Sequence, residues 1–391
     1  MLRSLLSTVL LGAVLLAASA RAQVVSALYV PDSINKRVLS LDPATGAVLN
    51  PALIQDARLG TAVQAIQGFD RDHILVSDQT NDVVWQYTST GTFVGVFAPA
   101  GGANTAILDN IRGIAISRDG QRLLVTVAAG GNINTVVAFD RTGAAVPTPV
   151  VASGAGGLNS PWDVVERAGD YLVGGSGNST VLRFGLDGTP LGTFATGLNF
   201  PQQISESRAG GILVANFTPV AERGVYEYDA AGALLRRIVL PDLLGAARGV
   251  YDLASGTVLV ATSAGIYEVA RDGTVVSTKV SGGQYRYISP ALAPVTATDA
   301  PGAGGALRID APAPNPATGR AMLRVGVPAA QPLRVTLVDA LGRTVATLHD
   351  GPAPAGLLTL TADARGLAPG VYVVRVTGAG AAAQTRLVVG R

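Results

Sequence analysis

Short apolar runs recur along this chain at a nearly fixed period, and that period restricts its fold more than any other feature. They begin at Leu28 (LYVPD), Ile74 (ILVSD), Leu123 (LLVTV), Tyr171 (YLVGG), Ile212 (ILVAN) and Val258 (VLVAT), so successive spacings are 46, 49, 48, 41 and 46 residues. Each is followed by a second run that ends on a turn glycine: VLSLDPATG, VVWQYTSTG, VVAFDRTG, VLRFGLDG, VYEYDAAG and IYEVARDG. Glycine there supplies the left-handed conformation a short hairpin needs. A third run follows the turn. A fourth precedes every repeat but the first: QAIQGF from Gln64, RGIAIS from Arg112, WDVVER from Trp162, QQISES from Gln202 and RGVYDL from Arg248. RYISPA, from Arg286, follows the sixth repeat at the spacing that would supply the missing strand. Four antiparallel strands at a period of 40–50 residues describe a propeller blade. The expected fold is therefore all-β, a six-bladed β-propeller whose last strand completes its first blade. Radial stacking would bury both apolar faces of every sheet and leave only short edges.

Composition agrees and removes several kinds of chemistry. Of 391 residues, 48 are glycine and 22 proline, a share that suits many strands joined by tight turns. There is no cysteine, which excludes disulfides, thiolate metal sites and a cysteine nucleophile. Only His73 and His349 are available for zinc or triad chemistry, and His73, beside Asp70 and Asp72, reads as a turn residue. The formal net charge is +2, with the basic surplus at the two ends and a mildly acidic middle, so there is no electrostatic case for nucleic acid.

The ends read differently. Arg3, a mostly apolar run from Leu5 to Ala18 and Ala20-Arg21-Ala22 describe a signal peptide over residues 1–22, cleaved between Ala22 and Gln23. The propeller is expected over 23–295 and a Pro/Gly/Ala-rich linker over 296–310. Strand-like runs at 322–327, 333–339, 343–348, 357–362, 371–376 and 385–389 predict a small immunoglobulin-like β-sandwich over 311–391.

Two resemblances follow from these residues. LYVPDSINKRVLSLDPATG (28–46) and ILVSDQTNDVVWQYTSTG (74–91) resemble NHL-type blades, and later repeats keep parts of the pattern. In the final module, Pro314-Asn315-Pro316, the turn of Asp339, Gly342 and Arg343, and the Gly370/Tyr372 strand entry resemble the C-terminal sorting domain of the type IX (Por) secretion system. Arginine stands at the terminal position where lysine is usual in that family. The resemblance implies export through the periplasm, handling by the type IX machinery, and release or attachment at the cell surface.

For the propeller, the inner strands nominate a ligand site at the channel mouth. Their first positions read Gln64, Arg112, Trp162, Gln202, Arg248 and Arg286, and Asp163 and Gln203 stand at the second. Three arginines with glutamines form a donor-rich ring suited to a small anion, a glycan or a peptide. Asp163 is expected to pair with one arginine. A lactonase-like hydrolase would need a divalent metal held by Glu, Asn and Asp at that mouth, where Asp163 stands alone. Asp32, Asp78 and Asn216 read as turn caps rather than calcium ligands. The expectation is a non-catalytic binding scaffold with no metal or cofactor, and the lactonase is the alternative.

Overall fold

The computed structural model describes residues 24–218, 222–293, 307–310, 312–327, 329–339, 341–354, 356–378 and 381–390; Ala22, Gln23 and the rest of the expected leader lie outside them. The chain divides into two compact units, Met1–Ala293 and Pro294–Arg391.

The first unit is built of six antiparallel sheets, one per sequence repeat. The sheet of the first repeat runs Ser289–Leu292, Val25–Asp32, Arg37–Leu41 and Val48–Gln55 from its inner to its outer edge. Leu28 pairs with Pro290 and Tyr29 with Ser289, and the Arg286 N–H donates to the Pro31 carbonyl at 3.0 Å. The last strand of the unit thus completes the first sheet. Blades two to six begin with the inner strands Ala62–Gln67, Ile111–Ile116, Pro161–Glu166, Pro201–Glu206 and Ala247–Asp252.

Six apolar clusters cement the ring, each drawn from two neighbouring blades. Leu28, Val30 and Leu39 pack on Leu253, Leu259 and Ala261, joining the first blade to the sixth. The other five clusters join the blades in sequence order. Burying one such aliphatic side chain contributes about 1.5–3 kcal/mol, so cohesion lies between the sheets rather than within any one. The third blade departs from the expected four strands. Its outer segment forms no continuous strand and pairs with the sheet through the isolated bridges Phe139–Ala145 and Val136–Val151. Pro147 and Pro149 fall between those bridges and lack the N–H a ladder requires.

Asp32, Asp78 and Asn216, at the ends of the second strands of the first, second and fifth blades, tie loops to those strands. Asp78 accepts hydrogen bonds from the N–H groups of Gly60 (2.7 Å) and Thr61 (3.0 Å), from Asn81 Nδ2 (2.7 Å) and from Trp85 Nε1 (2.9 Å). Asp32 and Asn216 do the same with Gln284 N and Asn199 N.

The second unit is a sandwich of two sheets. One holds Arg308–Ile309, Arg320–Val327 and Gly356–Asp363; the other holds Thr344–Ala353, Gln331–Val338, Gly370–Gly378 and Ala381–Val389. Strand alternation sends Leu323, Val325, Val335, Leu337, Val374 and Val376 into a common core. Arg308–Ile309 falls in the segment expected to be linker, because Leu307 is buried in that core and holds the two residues after it against the sheet. The motif residues fasten the module to itself. Between Pro314 and Pro316, Asn315 donates through Nδ2 to the Arg386 carbonyl (2.9 Å) and accepts the Val388 N–H through Oδ1 (2.8 Å). Asp339 caps its turn through Leu341 N and Arg343 N, both at 2.9 Å, with Gly342 at φ 78°. Gly370 opens the strand on which the Tyr372 hydroxyl donates to the Ala368 carbonyl at 2.8 Å.

Candidate functional site

The inner strands converge on the propeller axis, and their register decides which side chains reach it. Ala62 pairs with Asp78 and Gln64 with Ser77, whereas Pro161 pairs with Gly175 and Asp163 with Gly174. Each pairing skips one bulged residue: Val63, Trp162 and, in the sixth blade, Arg248 between Ala247 and Gly249. Val63 therefore holds the first position of the second blade, and Gln64 belongs to the second. The missed bulge shifts that blade by one residue.

Second-position side chains stitch neighbouring blades together. Gln64 accepts the Ile114 N–H (2.7 Å) and donates to Ser289 Oγ (3.2 Å). Gln203 accepts the N–H groups of Val250 and Ile288, both at 2.9 Å, and donates to the Ile288 carbonyl (2.8 Å). Asp163 accepts the N–H groups of Val164 (2.9 Å) and Ile204 (2.8 Å), and no arginine pairs with it among the described residues. The expected Asp163–arginine pair does not form, because its oxygens are turned onto backbone. Gly113 and Gly249 complete the ring, since a Cβ at either would overlap the neighbouring inner strand.

Full burial without a cation pushes the Asp163 carboxyl up to about 8. In the unfolded chain it titrates near ~3.9. Between about pH 4 and pH 8 the folded protein then holds a proton that the unfolded chain releases, so stability falls as pH rises through that window, by at most about 1.4 kcal/mol per unit. Urea titrations across this range should show that slope. Asp163→Asn, though less stable overall for losing one accepted N–H, should flatten it.

First-position side chains form a different device. Arg112 lies 4.0 Å over the Trp162 ring, Trp162 is 5.3 Å from Phe200, Phe200 is 5.4 Å from Phe217, and Arg248 lies 4.6 Å over Phe217. The result is an Arg–Trp–Phe–Phe–Arg stack across the start of the inner strands. Trp162, Val63 and the fully buried Tyr287 form an apolar plug, with Phe200 packed on it, so the mouth expected there is filled. Phe200 takes φ 59°, a strained value for a bulky residue that its two aromatic neighbours hold in place. Phe200 and Phe217 went unnoticed because they sit in loops beyond the strand repeat. The only sequence signal was Phe200 before Pro201, matching Ser160 before Pro161.

The arginines of this end carry no carboxylate among the described residues. Arg112 donates to the Ser160 carbonyl (3.2 Å), Ser160 Oγ (2.9 Å) and the Pro161 carbonyl (3.0 Å). Arg286 reaches Ser33 Oγ (3.3 Å) and Gln284 Oε1 (3.5 Å). Burial lowers all three, Arg112 to about 10 and Arg248 to about 9, the latter also through Arg286. All three favour ionisation of the fully buried Tyr287 hydroxyl, which burial nonetheless holds well above its ordinary value. Among the described residues, Arg112 Nε, Arg248 Nε, Trp162 Nε1 and both polar atoms of the fully buried Gln202 have no hydrogen-bond partner.

At the opposite end the channel is open. A cavity of about 600 Å³ is walled by Ile66, Ile114, Ile204 and Ile288 and floored by Gln64 and Gln203. Sequence reading missed it, since these isoleucines look like ordinary strand core. Among the described residues no three of His, Cys, Asp and Glu converge. With Asp163 committed to backbone N–H groups, the donors at the axis do not fit the divalent metal of a lactonase.

These features define a β-propeller joined to a β-sandwich. Residues 313–390 match the family described as the secretion system C-terminal sorting domain. No curated protein sequence matches the chain. A protein of unknown function from Bacteroides caccae shares the fold at 15% identity and TM-score 0.50, over 68% of this chain and 99% of that one. A chain of the nidogen/laminin complex does so at 12% identity and TM-score 0.53, over 68% and 98%. A gluconolactonase from Xanthomonas campestris is similar at 18% identity and TM-score 0.49, over 68% and 90%. Identities this low define architecture and are silent on chemistry. The protein is a propeller that carries an export-sorting domain of the type IX kind.

Proposed function

We propose that the protein is an exported, non-catalytic binding scaffold whose propeller takes a small oxyanion, a carboxylate or phosphate, among Arg112, Arg248 and Arg286. The anion can be free or borne on a glycan or peptide. The observation that carries this reading is that the buried Arg112 and Arg286 and the half-buried Arg248, all at the start of inner strands, face no carboxylate among the described residues. An unpaired buried charge is costly, and a structure that needed these side chains only for packing would do better with methionine. An oxyanion would offset that cost and meet the free donors Arg248 Nε, Trp162 Nε1 and Gln202 Nε2.

Calorimetric unfolding tests it. Phosphate, citrate or a uronic acid at 100 times its Kd should stabilise the protein by about 2.7 kcal/mol relative to chloride. Arg248→Met should abolish that gain while leaving the anion-free protein at least as stable, since it relieves a buried charge. A destabilised Arg248→Met protein, or no response to any oxyanion, overturns the proposal. A response to the uronic acid alone would indicate a glycan-borne carboxylate.

A further inference from the structure

We infer that the open end of the channel is a second binding site, built for a short apolar peptide with free charged ends. Its wall is a ring of isoleucines from four different blades around a cavity of about 600 Å³, a volume in the range of small-molecule sites. The floor is polar in a particular way. Gln64 Nε2 donates once, to Ser289 Oγ, and Gln203 Nε2 donates once, to the Ile288 carbonyl. Each amide nitrogen carries two hydrogens, so each keeps one donor for a ligand carbonyl.

The mouth carries charges of both signs, the basic ones on the second and third blades and the acidic ones on the fourth and fifth. Arg71, from the second blade, donates to the Ala293 carbonyl at 3.4 Å; Arg141, from the third, donates to the Gly120 carbonyl at 3.1 Å and lies 5.2 Å over Phe69. Neither meets a carboxylate among the described residues. Glu166 and Glu206 stand on the fourth and fifth blades, and in a ring of six the fifth faces the second. Arg118 neutralises Glu206 at 2.9 Å and donates to the Glu166 backbone carbonyl at 2.8 Å, leaving the Glu166 carboxylate unmatched. Glu166 Oε2 is buried with no partner among the described residues. An apolar body fills the ring, an ammonium satisfies Glu166, a carboxylate reaches Arg71 and Arg141, and peptide carbonyls take the floor amides. A fatty acid would leave Glu166 unpaired, and an apolar amine would leave the arginines unpaired. The plug of Val63, Trp162 and Tyr287 separates this cavity from the arginine end, so the two sites are independent.

Calorimetric titration of the full chain with trileucine, N-acetyl-trileucine and trileucine amide tests the inference. Trileucine with free termini should bind, and masking either terminus should weaken it about tenfold, the worth of one charge-assisted hydrogen bond. Glu166→Gln should weaken free trileucine about tenfold and leave the acetylated peptide unchanged; Arg141→Gln should act likewise on the carboxylate, sparing the amide. Arg248→Met, at the far end, should change nothing. No binding of trileucine at millimolar concentration, equal affinity for all three peptides, or sensitivity to Arg248→Met overturns the inference. Both rim positions are solvent-accessible, so the variants should fold, and circular dichroism checks that they do.

Discussion

Asp78→Ala is expected to cost the propeller about 3–5 kcal/mol, the scale seen when one partner of a buried charge network is removed. Asp78 is fully buried, and every group that hydrogen-bonds to it is a donor: the N–H groups of Gly60, Thr61, Thr80 and Asn81, the Asn81 amide and the Trp85 indole. Alanine would leave those donors without their shared acceptor at a half-buried loop. Asp78→Asn should recover only part of the loss, because its amide hydrogens would face donors. Guanidinium denaturation of the wild type and both variants measures this. A cost below about 1 kcal/mol for Asp78→Ala would mean the loop holds without its cap.

Deletion of residues 313–390 is expected to leave a folded propeller that no longer leaves the cell. The two units have separate cores: the six inter-blade clusters lie within the first unit, and the cluster around Leu323, Val335 and Val374 lies within the second. Truncation therefore removes the segment that matches the sorting family and leaves the six inter-blade clusters complete. Fractionation of cells expressing both forms should find the full chain outside and the truncated one retained, with the same melting temperature for the propeller. A truncated protein exported at the normal level would show that the module is a passenger domain.

Much of the architecture was legible because it repeats. Hairpin turns are set locally by glycine, and strands by runs of branched apolar residues, so each blade announced itself without reference to its neighbours. The closing segment at Arg286–Ala291 was legible for the same reason: one repeat lacked a strand, and one surplus strand stood at the right distance. The third blade was misjudged where Pro147 and Pro149 interrupt an otherwise strand-like stretch.

The sites were less legible. The repeat placed the three arginines on the inner strands, but the setting of their side chains was not legible. Gln64 stands one position further along than its repeat alignment gave, Asp163 turned onto the backbone of the next blade, and the expected channel mouth is filled by an aromatic plug. The open cavity lay at the other end of the same strands, on side chains chosen for no feature beyond being aliphatic.

By itself, the order of residues determined where strands start and stop, how many sheets form, and which segment carries the export-sorting motif, since those properties depend on neighbours a few positions away. Only the closed ring decided which end of the channel is filled, which buried charges stand unpaired, and which carboxyl keeps its proton. Those outcomes depend on side chains from blades dozens of residues apart meeting on one axis, where burial rather than local propensity sets the free energy of each polar group.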